Sequence, residues 1–287
     1  MDIVDTHVHL IEPNLFDYPW LSAVPELAGP WSVDKWAAET EQTGPPESSA
    51  VTAGIFMEVD VAESEMKSES AYFCPIAADS STRIVGVIAA CRPELDGFEE
   101  YFDTIDDQYL VGLRRVLHVA PEGTLDSPLL VENLKRLAER DLPFDLCLRP
   151  DQLIKVTEVV DACPYTQFVL DHAGNPPVLA EAFSSWKTDV ANLALRPNVA
   201  CKISGLVNLV PVTEDPHESL QPVIDHVADR FGIHRLLFGG DWPVCTLRGF
   251  NLRDWIHLAR KLVAEWSHDE QSAFFESNAR SVYGIAP

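Results

Sequence analysis

The chain has 287 residues, 46% of them hydrophobic, and a formal charge of -24 from 21 basic and 45 acidic side chains. So acidic a balance excludes the positive footprint that nucleic acid or an anionic membrane surface requires, and no apolar run reaches the roughly eighteen residues of a membrane span. The length suits one domain over residues 1–287. Six scattered cysteines without a CxxC pair, and an N-terminus with no basic leader before an apolar segment, point to a reducing, cytoplasmic setting.

Ile3 to His9 reads as a strand ending in two imidazoles. Side chains two apart on a strand share a face, so His7 and His9 point the same way, and Asp5 shares their parity. From Ile11 to Pro30 runs a long loop rich in proline and aromatic residues, read as a wall beside the site, a cap over the barrel, or both. Ser32 to Gln42 follows as a helix capped by Ser32 and broken by Gly44-Pro45-Pro46.

Val51 to Val61 is the second predicted strand, with Glu58 near its end, and Glu63 to Ala78 the next helix. Ile84–Ala90 forms strand three, Phe98 to Ile105 a short helix, and Leu110 to Leu117 strand four, carrying Arg114 and ending at His118. Apolar residues at helical spacing lead from Leu129 to Leu137. Phe144 to Leu148 is strand five, followed by Arg149, and Gln152 to Ala162 is helical. Strand six, Phe168–Leu170, runs into Asp171-His172-Ala173-Gly174-Asn175. A helix from Val178 to Ala194, strand seven at Val199–Ile203, a helix from His217 to Phe231 and strand eight at Leu236–Phe238 come next. After Gly239-Gly240-Asp241, helices from Leu252 to Trp266 and from Asp269 to Tyr283 close the chain.

Eight short strands alternating with helices predict an α/β fold, and the polar groups gathered at strand C-terminal ends favour a closed TIM (β/α)8 barrel over an open sheet. No Gly-x-Gly-x-x-Gly follows a strand, which argues against a dinucleotide fold. If the first and last strands lie side by side, Asp241 meets His7 and His9.

His7 and His9 at this spacing suit one metal ion, and His172 either ligates it or binds a substrate oxygen. Asp241 is the candidate base, taking a proton from an attacking water. Glu58 completes the metal site, binds a substrate hydroxyl, or forms an internal salt bridge. Arg114, Arg149 and Asn175 are substrate-binding candidates, the arginines equally suited to balancing nearby acids. Asp171 reads as an orienting or capping acid; Ser204 and Asn208 are weaker hydrogen-bonding candidates. Lys202 is the sole strand lysine, so a carboxylated lysine bridging two metals is not expected before strand seven, and one metal or none is.

Asp5-Thr6-His7-Val8-His9-Leu10 resembles the opening motif of the amidohydrolase superfamily. Together with Leu170-Asp171-His172-Ala173-Gly174-Asn175-Pro176, Lys202-Ile203-Ser204-Gly205-Leu206 and Phe238-Gly239-Gly240-Asp241-Trp242-Pro243, the chain is similar to the sugar-lactonase branch of amidohydrolase 2 type. Val111 to Val116 and Asn278 to Gly284 extend the likeness over nearly the whole chain. The resemblance implies a distorted barrel in which His7, His9 and His172 are the strand-one and strand-six histidines and Asp241 the strand-eight acid that activates water. It further implies hydrolysis of a sugar lactone to an aldonic acid, with one divalent ion (zinc or manganese) or with no metal. Gly240 stands where many relatives have serine, and Arg114 lies in the region of the strand-four lysine of binuclear members. The partner expected is a small-molecule substrate, bound by a monomer or a homo-oligomer. The competing readings are a metal-dependent decarboxylase of a small unsaturated acid, which needs a carboxylate clamp, and a non-catalytic binding protein.

Overall fold

A computed structural model describes residues 2–41, 50–105 and 107–286. The predicted break at Gly44-Pro45-Pro46 lies outside them. Eight strands form one parallel sheet in sequence order: β1 (Ile3–Val8), β2 (Val51–Met57), β3 (Ile84–Ala90), β4 (Leu110–Val116), β5 (Phe144–Cys147), β6 (Phe168–Leu170), β7 (Val199–Ile203) and β8 (Leu236–Phe238). A parallel bridge between Val8 and Trp242 joins the two ends, and the sheet becomes a barrel. The helices are α1 (Val33–Thr40), α2 (Met66–Ala78), α3 (Phe98–Thr104), α4 (Pro128–Leu137), α5 (Leu153–Ala162), α6 (Phe183–Ala194), α7 (Pro216–Phe231), α8 (Leu252–Leu262), α9 (His268–Ser272) and α10 (Asn278–Tyr283). Among the described residues none is long and apolar enough to cross a membrane.

Four strands, β3, β6, β7 and β8, have the predicted bounds. The predicted second strand runs four residues too far. The chain leaves the ladder after Met57 because the Glu58 carboxylate accepts the Asp60 N–H at 2.7 Å and Asp60 turns with φ 48°. The helix expected from Val178 begins at Phe183, since Leu179 takes φ 62°, outside right-handed helical space. Ser32 caps α1 as expected, accepting from Lys35 N–H at 3.4 Å. At the C-terminal end a π turn over Ala273–Ser277 joins α9 to α10, burying Phe274 and Phe275.

Two apolar clusters hold the layers together. The larger lies between the sheet and the helices and includes Phe56, Phe73, Trp186 and Trp255. The smaller draws alternate residues of β2 (Ala53, Ile55, Met57) with Val4, Ile88, Val169, Ala200 and Leu237, the face that alternation turns into the barrel. Ala279 and Tyr283 of α10 belong to this inner cluster, so the last helix closes one end of the barrel. All six cysteines are buried and unpaired, in keeping with their expected role as small apolar residues.

Candidate active site

The seam between β1 and the segment after β8 places the first three site residues. Asp241 N–H donates to the His7 carbonyl at 2.8 Å, and His9 N–H to the Trp242 carbonyl at 2.8 Å. Asp5 ties both sides together, its carboxylate accepting from Gly240 N–H at 2.6 Å and from His7 N–H at 3.0 Å. Burial pushes the Asp5 carboxyl up to about 7 against those two bonds. A Cβ at Gly240 would run into this carboxylate, so a serine there requires Asp5 to move.

Each imidazole is oriented by an acceptor on its Nδ1. His9 Nδ1 faces the Met57 carbonyl at 3.1 Å, and His172 Nδ1 the Ser204 carbonyl at 3.1 Å. His7 Nδ1 lies 3.5 Å from the Asp171 carboxylate. A carbonyl only accepts, so in His9 Nδ1 carries the hydrogen and Nε2 is left for a ligand; His172 Nδ1 also meets the Ser204 hydroxyl at 2.9 Å, and His7 Nδ1 makes no hydrogen bond among the described residues. His7 Nε2 and His9 Nε2 are 3.1 Å apart and lie 3.6 and 3.5 Å from Asp241 Oδ1. Burial drives the His7 ring well below its usual value, so it is neutral. Burial raises the Asp241 carboxyl, but His172 and His9 outweigh it and hold the group below its ordinary range.

These separations test whether the residues suit a metal. Ligands of a four-coordinate zinc lie about 3.3 Å from one another at its ordinary bond lengths. His7, His9 and Asp241 match that spacing, with two nitrogens and a carboxylate facing one point. A second group, His7, Asp171 and His172, also lies close together, but Lys202 Nζ stands 3.1 Å from Asp171 Oδ1 and opposes a second cation.

His172 sits on a left-handed run: His172, Ala173, Gly174 and Asn175 have φ of 53°, 51°, 72° and 52°. Residues with a Cβ are strained there by about 1–2 kcal/mol each, so the surroundings must impose the shape. Gly205 makes close approach possible. A Cβ on it would lie 2.6 Å from Asp241 Oδ2 and 2.8 Å from His172 Nδ1. Gly205→Ala is therefore expected to lower kcat/KM about a hundredfold, the usual result of displacing reacting groups by an ångström. Steady-state kinetics check this, and a loss below fivefold would show that both side chains relax freely.

The groups stand at the floor of a cavity of about 780 Å³, which His9, Arg114, His118, Arg149, His172, Asn175, Asn208 and Asp241 help to line. Pro19 and Trp20 from the long first loop form part of its wall, while Phe16, Tyr18, Leu21 and Leu27 are buried beneath, so that loop is wall and cap at once. Glu58 does not join the ligand cluster. It takes the salt-bridge role, its Oε1 accepting from Arg114 Nε at 2.6 Å, and it does not reach the cavity wall. Arg114 also donates to the Glu58 carbonyl at 3.0 Å and directs Nη1 to within 3.4 Å of His7 Nε2. Arg149 stands at the outer rim, paired with Asp151 at 3.0 Å and bonded to the His118 carbonyl. Asn175 donates to the Leu148 carbonyl at 2.7 Å. Asn208 also lines the cavity; its amide donates to the Val244 carbonyl at 3.0 Å, and its buried Oδ1 has no hydrogen-bond partner among the described residues.

Sequence reasoning ranks Asp171 as a structural acid and does not single out Asp145, which lies buried on β5 with Lys202 Nζ 2.6 Å away. An acid at position 145 and a lysine at 202, each inside an apolar strand, were the signal.

Known proteins resemble this chain in sequence and in fold. An L-fucono-1,5-lactonase of Burkholderia ambifaria is 34% identical over 142 residues, 48% of this chain and 48% of that protein. Its namesake in Burkholderia multivorans is 27% identical over 98% of this chain and 96% of its own length. A crystal structure of an amidohydrolase from Burkholderia multivorans with bound zinc covers all of both chains with TM-score 0.87 at 24% identity, which shows the shared fold. Residues 4–285 match the Amidohydrolase family, and with the barrel and its seam in view the chain belongs to that family.

Proposed function

We propose that residues 1–287 form one catalytic domain that opens a sugar lactone to its aldonic acid in the cytoplasm, with Asp241 as the base. The observation that carries this is the convergence of His7 Nε2, His9 Nε2 and Asp241 Oδ1, with His9 and Asp241 lining a cavity large enough for a lactone ring and His7 buried behind them. Relatives named as L-fucono-1,5-lactonases support an aldono-1,5-lactone of the L-fucono or L-galacto type; a 1,4-lactone or an L-rhamnono-lactone suits the same chemistry.

Attack of water on the lactone carbonyl requires removal of a proton and stabilisation of the oxyanion. The ionised Asp241 accepts the water proton and returns it to the ring oxygen as the C–O bond breaks, leaving a hydroxyl and a carboxylic acid that releases its proton to solvent. Arg114 offers Nη1 at the cavity floor for the developing negative charge. His172, held through Nδ1 by Ser204, lines the cavity on the substrate side. Asn208, Asn175 and the Arg149 rim are the contacts for ring hydroxyls. A divalent ion held by His7, His9 and Asp241, zinc or manganese, would polarise the carbonyl and acidify water.

The decarboxylase reading requires a carboxylate clamp near the departing CO2. Arg92, Arg114 and Arg149 in the cavity each already face a carboxylate, Asp60, Glu58 and Asp151.

Acid release from a panel of five- and six-membered sugar lactones tests the proposal, before and after chelation and with zinc or manganese restored. Turnover that falls at least tenfold on chelation and returns with metal is the expected result. Absence of hydrolysis of every lactone under every metal condition would end the lactonase reading.

A further inference from the structure

Beneath the site, inside the barrel, lies a charged group that the reaction does not touch. Asp145 on β5 and Lys202 on β7 are fully buried, with Lys202 Nζ 2.6 Å from Asp145 Oδ1 and 3.1 Å from Asp171 Oδ1. Tyr283, from α10, donates its hydroxyl to Asp145 Oδ1 at 2.8 Å. At the other end Asp171 reaches His7 Nδ1 with one oxygen and Arg114 Nη1 with the other, each at 3.5 Å. The contacts are continuous from the last helix to the imidazole.

A buried lysine between two carboxylates is seldom the most stable filling for such a space; an apolar side chain of similar volume often does as well or better. This arrangement instead fixes a direction. His7 Nδ1 makes no hydrogen bond of good geometry among the described residues, and the Asp171 carboxylate, 3.5 Å away and likewise without one, is the acceptor that faces it. If Asp171 swings away, either ring nitrogen can carry the hydrogen, and Nε2 is no longer reserved for the site. Asp171 is held on one side by Arg114, which is itself bound to Glu58, and on the other by Lys202, whose place depends on Asp145 and hence on Tyr283.

We propose that Lys202 and Tyr283 are positioning residues: anchored by the C-terminal helix, they hold Asp171 against His7 Nδ1 and keep Nε2 facing the site. The closing of the barrel by α10 and the preparation of the site are then one event.

Tyr283→Phe and Lys202→Met, made in the full chain, test this. Two readouts need no substrate: the imidazole nitrogen shifts of His7 in metal-free protein labelled with 15N-histidine, and the affinity for Zn2+ by calorimetry. kcat and KM on a hydrolysed lactone form the third, which alone rests on the lactonase reading. Tyr283→Phe is expected to move the His7 pattern toward mixed tautomers, weaken Zn2+ binding about tenfold, and lower kcat with KM within twofold. Lys202→Met is expected to do the same about a hundredfold; if it fails to fold, Tyr283→Phe decides. A Tyr283→Phe protein with a lowered Tm but wild-type values for either the His7 pattern or Zn2+ affinity would overturn the proposal, because the network would then serve only the fold.

Discussion

Asp241→Asn is expected to lower kcat about a thousandfold while leaving the barrel intact. Asparagine keeps the size of the side chain and is among the residues that best tolerate the left-handed backbone, which position 241 adopts with φ 54°. The backbone bond from residue 241 to the His7 carbonyl does not involve the side chain, so the seam survives. What disappears is the carboxylate charge facing His7 Nε2 and His9 Nε2 and the acceptor for the water proton. Lactone hydrolysis in weak buffer, with circular dichroism melts alongside, separates loss of chemistry from loss of fold. Retention of a tenth of wild-type kcat would remove Asp241 from the role of base. The imidazoles hold the wild-type carboxyl below its ordinary range despite burial, so loss of the base on the acid side should fall below the pH at which a free aspartate protonates.

The largest effect on stability is expected for Arg114→Met, at about 3–5 kcal/mol near neutral pH. Arg114 is 4% exposed and Glu58 1%, and the guanidinium is the charge that compensates the acid. Burial pushes the Glu58 carboxyl up, but Arg114 outweighs it and the group lies below its ordinary value. A depressed carboxyl contributes stability above its unfolded pKa and loses it as pH falls through the folded one. In the variant Glu58 is a buried acid without its partner and takes up a proton, so the deficit is greatest near neutrality and narrows as pH falls toward the carboxylate range. Urea unfolding at pH 7 and pH 5 measures it. Adding Glu58→Gln should restore part of the loss, and a deficit under about 1 kcal/mol at pH 7 would mean that water reaches Glu58.

The barrel was legible because its strands are short, apolar and strongly punctuated. Val199–Ile203 and Leu236–Phe238 each end where a polar or glycine residue begins, and period and composition alone define them. Val51 to Val61 was not so clear, since Val59 and Val61 continue the apolar alternation after the backbone has left the ladder and are buried as loop residues. The His-x-His pair and Asp241 could be read for a similar reason, as strand parity and the adjacency of first and last strands suffice. Glu58 divided between three roles because the deciding partner, Arg114, is 56 positions away. The ionic group below the site depends on register across three strands. Leu170 pairs with Cys201, which brings Asp171 and Lys202 together, and no local pattern encodes that pairing.

The seam has a consequence for how the protein is made. His7 and Asp241 stand at opposite ends of the chain, and the bonds that unite them, from Asp241 N–H to the His7 carbonyl, His9 N–H to the Trp242 carbonyl and Thr6 Oγ to the Phe238 carbonyl, also close the barrel. A nascent chain still lacking its eighth strand holds two of the three converging ligands and an open sheet edge, so it can neither catalyse nor gather a metal as the finished protein does. Competence cannot precede the last strand, and the appearance of activity during synthesis or refolding would time the completion of the whole barrel, its closing helix included.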